Sequence, residues 1–289
     1  MEFSFLKMQG CGNDFLILDS MVREPNPFYP REITWLCDRN FGVGADGVVV
    51  LSRSEENHAK WTFYNSDGSE AEMCGNAARC VVRYLADHYY PHDVPITVET
   101  KSGIIKGRLL ETPNMVEVTL TPHHYDKFEF EQKIIAGENY SVEACLINTG
   151  VPHAVVEVKD LSTYPIVQIG KDLRSHPAVG PQGANVTFFQ RLVGPRIRST
   201  TFERGVEGET LACGTGAAAA AIIYSETYMQ PLPIEVDVPG GELVVDISPV
   251  SKMLLLQGPA HYVFPVTVPE IPTSFEKQFL FSQKRWPTL

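Results

Sequence analysis

Short runs of β-branched and aromatic residues recur along the chain, separated by Gly, Pro and Asn. They fall at 15–18, 48–51, 96–98 and 116–120, then again at 154–158, 186–189, 234–238 and 253–256. Runs of this length and composition predict strands, and the turn residues between them predict antiparallel connections. Two stretches break the rhythm. After Asn76, apolar residues recur at Ala77, Cys80, Val81, Tyr84 and Leu85, the spacing of a helix with one buried face. After Thr215, the stretch from Gly216 to Ile223 holds no polar side chain, which predicts a helix buried on all sides. Asn76 and Thr215 are good capping residue types and are expected as the N-caps. Segment 121–132, polar and aromatic with His123 and His124, reads as a crossover, and 271–289 as a tail or strap.

Sliding the chain against itself gives its organisation. Cys74-Gly75-Asn76 and Cys213-Gly214-Thr215 are the same type of tripeptide, 139 residues apart. The same ungapped offset carries Gly44-Ala45-Asp46 onto Gly183-Ala184-Asn185 and Thr62-Phe63 onto Thr201-Phe202. It also carries Glu70 onto Glu209, each four residues before its cysteine, and the entry Gly10-Cys11-Gly12-Asn13 onto 149–152. A shared offset across separate motifs indicates tandem homologous domains. The expectation is an α/β fold of two pseudo-symmetric domains, each a mostly antiparallel sheet wrapped around a central helix, with the active site in the cleft. The boundaries expected are 1–125, 126–265, and an extension over 266–289.

Composition narrows the function. The 289 residues, 44% hydrophobic and 20% charged, fit a globular protein with a substantial core. A net charge of −11 repels phosphates, which argues against nucleic acid and anionic membranes as partners. The N-terminal residues lack the basic start and apolar core of a secretion signal, and no apolar run reaches bilayer length. A cytoplasmic protein is therefore expected. Its six cysteines are too sparse for a disulfide scaffold and form no Cys-x-x-Cys pair, so no metal is expected.

A cysteine just before a helix meets unpaired backbone N–H groups and the positive end of the helix dipole. Thiol pKa values in such positions fall from about 8.5 towards neutrality. The same N–H groups bind carboxylates. Two such sites facing each other would share one α-carboxylate, with a thiol on either side of the α-carbon. One thiolate then removes the α-proton while the opposite thiol protonates the other face. A single Cys-Gly-x would be read as packing; two in register, each preceded by Glu, are read as a two-base amino-acid epimerase.

The motifs carry a resemblance. Gly10-Cys11-Gly12-Asn13-Asp14-Phe15, Asn65-Ser66-Asp67-Gly68-Ser69, and Cys74-Gly75-Asn76-Ala77-Ala78-Arg79-Cys80 resemble the diaminopimelate epimerase family. So do Pro152-His153, Ala184-Asn185-Val186, Glu203-Arg204-Gly205, and Glu209 through Gly216. The likeness runs from Met1 to about Phe264. It implies interconversion of L,L- and meso-diaminopimelate, for lysine and peptidoglycan synthesis, without pyridoxal phosphate, metal or nucleotide, in a homodimer. Cys74 and Cys213 would be the acid/base pair, and Gly75, Asn76, Gly214 and Thr215 would hold the reacting carboxylate. Asn13, Asn65, Asn185 and Arg204 would recognise the substrate, Arg204 as a bidentate clamp for the distal carboxylate. Glu203 would hold the α-ammonium, and His153 with Glu203 would tune the thiols.

Three features depart from the family pattern. Val151 stands where members often carry Asn, Gly47 where they often carry Gln, and the stretch 204–209 is one residue longer. Fewer side-chain amides at the distal end imply looser substrate choice, extending to glutamate or another single-centre amino acid. The alternatives are a racemase of proline or hydroxyproline, a thiol hydrolase using Cys74 with His153, and a duplicated binding module for a small anion. The asparagines and Arg204 argue against proline, and the hydrolase leaves Cys213 unexplained. Inert cysteines would mark the binding module.

Overall fold

The computed structural model describes residues 2–22, 28–124, 129–138 and 140–272, with backbone alone over 121–124. In chain order the elements are β1 (Phe3–Gly10), β2 (Asn13–Asp19), α1 (Pro30–Cys37), β3 (Gly47–Ser52), β4 (Ala59–Asn65), β5 (Glu70–Ala71), α2 (Gly75–His88), β6 (Ile96–Thr100), β7 (Gly103–Leu109), β8 (Met115–His124) and β9 (Phe130–Ala136). There follow β10 (Ser141–Asn148), β11 (Pro152–Glu157), α3 (Ile166–Arg174), β12 (Asn185–Arg191), β13 (Arg196–Glu203), β14 (Gly208–Glu209), α4 (Gly214–Tyr228), β15 (Ile234–Val238), β16 (Gly241–Ile247), β17 (Met253–Pro259) and β18 (His261–Val268). Contacts divide the chain into two units, one of 1–8, 14–72 and the residues from 262 on, the other of 9–13 and 73–261.

In the first unit β2 runs parallel to β3, and β3 and β4 are antiparallel. Helix α1 covers them through Ile33 and Leu36, which pack with Leu16, Leu18, Val48 and Val50. In the second unit eleven strands pair successively as β6-β7-β8-β17-β16-β15-β13-β12-β11-β10-β9, with β14 beside β13. All these pairs are antiparallel except β15 with β13 and β11 with β12. Helix α2 lies on β6, β7, β8 and β17, and α4 lies on β10 to β13 and β15 to β17. The two helices also touch each other. Both helices read from the sequence are present, and α4 is buried from Gly216 through Ser225 as expected. In α2 the residues Ala77, Cys80, Val81, Tyr84 and Leu85 are buried, but so is every position from Gly75 through Val82, where one buried face was expected. Among the described residues no helix is long and apolar enough to cross a membrane.

Three local expectations are corrected. Phe15 lies opposite Gly47 and Ala154 opposite Val186, and both pairings are parallel. Parallel neighbours need a crossover element, which α1 and α3 supply. Their signals were present: Pro30 opens α1 with Glu32 in its first turn, and Ile166, Ile169 and Leu173 make the buried stripe of α3.

The ungapped offset also fails in one hairpin. Gly47 faces Asn65, but Val186 faces Phe202 rather than Arg204. A two-residue shift is tolerated because strand side chains alternate with period two, so the faces are kept.

Within the expected crossover 121–132, the described residues are mostly strand, since β8 runs to His124 and β9 starts at Phe130. Pairing of His124 with Met253 of β17 extends β8 past Leu120, the expected end of the strand. The expected boundary at 125/126 and the tail from 273 on lie outside the described residues.

Candidate active site

Cys74 and Cys213 are extended (φ −146°, ψ 119° and φ −111°, ψ 106°), and each helix starts at the following glycine. The Cys74 carbonyl accepts from Ala78 N–H and the Cys213 carbonyl from Ala217 N–H, both at 2.9 Å. The cysteines are therefore themselves the N-caps, and Asn76 and Thr215 sit inside the first turn, correcting the expected caps. The extended backbone at each cysteine starts the helix two residues earlier than the side-chain types suggested. Gly75 and Gly214 make this arrangement possible. A Cβ at Gly214 would lie 2.9 Å from Leu256 Cδ2 and 4.0 Å from Gly75 Cα; one at Gly75 would lie 3.1 Å from the same methyl. The two helix N-termini thus lie side by side over Leu256, each with first-turn N–H groups unpaired within its helix.

Around Cys74, the thiol lies 3.8 Å from Asn13 Oδ1, which also accepts from Asn76 Nδ2 at 3.0 Å. Asn76 Nδ2 donates as well to the carbonyl of Ala212, at 3.0 Å. One amide therefore reaches both thiol-bearing segments.

Around Cys213 the contacts are hydroxyls. Thr215 Oγ1 is 3.5 Å from Cys213 Sγ and 3.0 Å from His153 Nε2. His153 Nδ1 is 3.0 Å from Thr187 Oγ1, which is 3.0 Å from Thr201 Oγ1. Strand periodicity builds this chain. Thr187 and Thr201 are directly opposed in β12 and β13, and their neighbours Val186, Phe188 and Phe202 point to the α3 side. Gly216 lets α4 settle onto the threonines, since a Cβ there would be 2.4 Å from Thr201 Oγ1.

The electrostatics differ from the sequence expectation. Burial pushes the Cys74 thiol up, against the lowering effect of the Ala77 and Asn76 amides. Burial pushes Cys213 up as well, and the Glu203 carboxylate adds to it by charge and by hydrogen bonding. The expected fall towards neutrality is thus overturned: desolvation of a thiolate outweighs the helix N-terminus. His153, wholly buried, is driven down to about 3 by desolvation and by the Arg204 charge, so it is neutral.

The sequence matches the family model for diaminopimelate epimerase over residues 5–124 and 145–263, one match per repeat. The chain belongs to the diaminopimelate epimerase family. It is 38% identical over 271 residues to the diaminopimelate epimerase of Aquifex aeolicus (strain VF5), covering 90% of this chain and 95% of that protein. It is 35% identical over 273 residues to that of Methanocella arvoryzae, covering 91% and 95%. Solved structures share the fold at low identity. A hydroxyproline epimerase from Agrobacterium vitis, with bound trans-4-hydroxy-L-proline, superposes with TM-score 0.70 at 16% identity, covering 94% of both chains. A phenazine biosynthesis protein of the PhzF family from Bacillus anthracis gives 0.70 at 16%, covering 93% and 99%.

Within this member of the diaminopimelate epimerase family, the second unit gathers Asn13, Cys74, Gly75, Asn76, Cys213, Gly214, Thr215, His153 and Glu203. Glu203 also accepts from the Thr210 hydroxyl. Asn185 Oδ1 accepts from Arg204 N–H at 2.9 Å, and Arg204 Nη1 donates to Gln182 O at 3.0 Å. These two residues hold the turn after β13. Asn65 belongs to the first unit, where its Nδ2 donates to Ser69 Oγ at 3.1 Å. Sequence reasoning missed Thr187, Thr201, Arg79 and Leu256. Thr201 appeared only as a repeat match, and Arg79 only as a letter of the cysteine motif. Nothing in a linear pattern marks a leucine that closes against two glycines.

Proposed function

We propose that this enzyme, an isomerase, interconverts L,L- and meso-diaminopimelate by two-base proton transfer between Cys74 and Cys213. The observation that supports it is the pair of Cys-Gly-x helix N-termini side by side over Leu256, in a chain of this family. One thiolate takes the α-proton, forming an S–H bond as the C–H bond breaks. The opposite thiol gives its proton to the other face of the carbanion, so the two cysteines exchange protonation states in each turnover. The amides of Gly75, Asn76, Gly214 and Thr215 receive the α-carboxylate, where negative charge accumulates as the proton leaves. Donors aimed in advance at such charge contribute about 3 kcal/mol each.

Glu203 holds the α-ammonium, and this cation offsets the carboxylate that raises the Cys213 thiol. His153 orients Thr215 as a neutral imidazole. Asn13, Asn65, Asn185 and Arg204 set the distal end of the substrate. The two repeats, 1–125 and 126–265, each deliver one thiol. Family precedent supports a cytoplasmic homodimer, which sedimentation velocity tests for the oligomer.

The decisive experiment incubates reduced enzyme with L,L-diaminopimelate in heavy water and follows the α-proton by NMR. Loss of that signal with appearance of the meso isomer is expected, reduced about 10²- to 10⁴-fold in Cys74→Ala and in Cys213→Ala. Absence of exchange in folded, reduced enzyme overturns the assignment. Looser choice at the distal end has one structural support: a Cβ at Gly47 would lie 2.7 Å from Phe63 Cε2, so no longer side chain fits there. Turnover of glutamate in the same assay is the expected consequence.

A further inference from the structure

Arg79 is wholly enclosed in α2. Its guanidinium donates to Asn76 Oδ1 at 2.8 Å and approaches Pro259 O at 3.3 Å, Gly75 O at 3.4 Å and Cys11 Sγ at 3.9 Å. None of these partners is a carboxylate. Among the described residues, the ionisable groups that act on it most are the thiols of Cys11, Cys80 and Cys74. A buried cation without a counter-ion is strongly disfavoured, and an apolar side chain of similar volume would fill the same space more cheaply. The surroundings are nonetheless cut to the guanidinium. A Cβ at Gly10 would lie 3.0 Å from its Nη2, and one at Gly258 would lie 3.1 Å from its Nε.

What the guanidinium touches gives its use. By binding Asn76 Oδ1 it directs Asn76 Nδ2 towards Asn13 Oδ1 and Ala212 O, the two contacts that reach the Cys74 and Cys213 segments. It also lies one helical turn from the N-terminus on which Cys74 sits, bonded to the carbonyl of Gly75.

We propose that Arg79 is a positioning residue of the epimerase: it locks the Asn76 amide that ties the two thiol-bearing segments together, and it is the buried counter-charge for the carboxylate and thiolate that form at the α2 N-terminus. The inference rests on the function proposed above. Cys74 is faced by two charged groups, Arg79 from its own helix and Glu203 from β13. Removing the guanidinium takes away a positive charge that counters the carboxylate at Cys74.

The test reads the alkylation of each cysteine by iodoacetamide against pH, resolved by peptide mass spectrometry, beside kcat/KM. Arg79→Gln is expected to move the Cys74 profile up by a few tenths of a pH unit, an about twofold slower reaction at a fixed pH below the midpoint. The Cys213 profile is expected to move far less. Arg79→Lys keeps the charge and loses the fork, so kcat/KM falls about tenfold while the Cys74 profile stays in place. In an Asn76→Ala background Arg79→Lys should cost nothing further, since its route to the thiols is gone. A folded Arg79→Gln with an unmoved Cys74 profile overturns the proposal, as do Arg79→Lys and Asn76→Ala losses that multiply. If Arg79→Gln does not fold, the Arg79→Lys and Asn76→Ala cycle decides. The alkylation profile needs no turnover, so a shifted profile in an enzyme inactive on diaminopimelate sinks the assigned substrate and leaves the charge role standing.

Discussion

The Cys74 corner and the Cys213 corner start from the same design and end differently. Both put an extended cysteine at a helix N-terminus, both follow it with a glycine, and both glycines pack on Leu256. Beyond that shell the likeness stops. Cys74 faces an amide, Asn13, and sits above a buried cation. Cys213 faces a hydroxyl, Thr215, backed by neutral His153 and two threonines, and a carboxylate leans on it directly. Duplication therefore preserved the Cys-Gly head of each helix and let the groups around each thiol diverge. Two thiols that swap a proton in every turnover need matched geometry; their electrostatic surroundings need only be matched once substrate charges are in place.

The comparison breaks hardest at Glu203. With the carboxylate removed in Glu203→Gln, the thiol it holds up comes down, so Cys213 alkylation at pH 7.5 should speed up about tenfold. Cys74, for which Glu203 ranks behind burial and the amides, should respond much less. Epimerisation by the same variant should fall about 10²-fold in kcat/KM, through loss of a charged hydrogen-bond partner for the ammonium. Equal responses of the two thiols would show that the corners are electrostatically symmetric after all.

A smaller effect separates the two glycines. Each Gly→Ala change overpacks against Leu256 and should destabilise by about 1–3 kcal/mol, with Gly214→Ala worse because its Cβ comes to 2.9 Å rather than 3.1 Å. Leu256→Ala should recover part of the loss in both, measured by urea unfolding. Recovery in only one variant would mean that the leucine does not serve both helices alike.

The last effect is confined to acid and vanishes at neutral pH. His153 is neutral when folded, at about 3, and takes up a proton near 6.5 when unfolded. Between those values the unfolded state binds more protons, so stability is lost as pH falls, by about 1.4 kcal/mol per pH unit. His153→Gln should remove that slope between pH 6 and 4. An unchanged slope would mean that the imidazole is charged in the folded protein, donating from Nε2 to Thr215 and from Nδ1 to Thr187.

Legibility followed the range of the interaction. The tandem repeat, the two helices and the paired cysteines at their heads could be read from residues adjacent in the chain. The crossover helices α1 and α3 could have been read too, from Pro30 with Glu32 and from Ile166, Ile169 and Leu173, but short strand-like runs on either side dominated the pattern. The direction of the thiol shifts could not, because burial of Cys74 and Cys213 is a property of what folds over them. Thr187 lies 34 residues from the histidine it bonds, and Arg79 lies 180 residues from the Pro259 carbonyl beside it. No local signal links such pairs.

By itself the sequence determined the duplicated α/β class, the placing of a thiol at the head of each helix, and the family with its chemistry, because each of these rests on residue type and spacing within a few turns of chain. Only the tertiary structure decided that the cysteines rather than Asn76 and Thr215 cap the helices, that the thiols are held protonated, and that one amide set by Arg79 joins both corners. Those outcomes depend on desolvation and on contacts between distant strands, which exist only when the sheet has closed around α2 and α4.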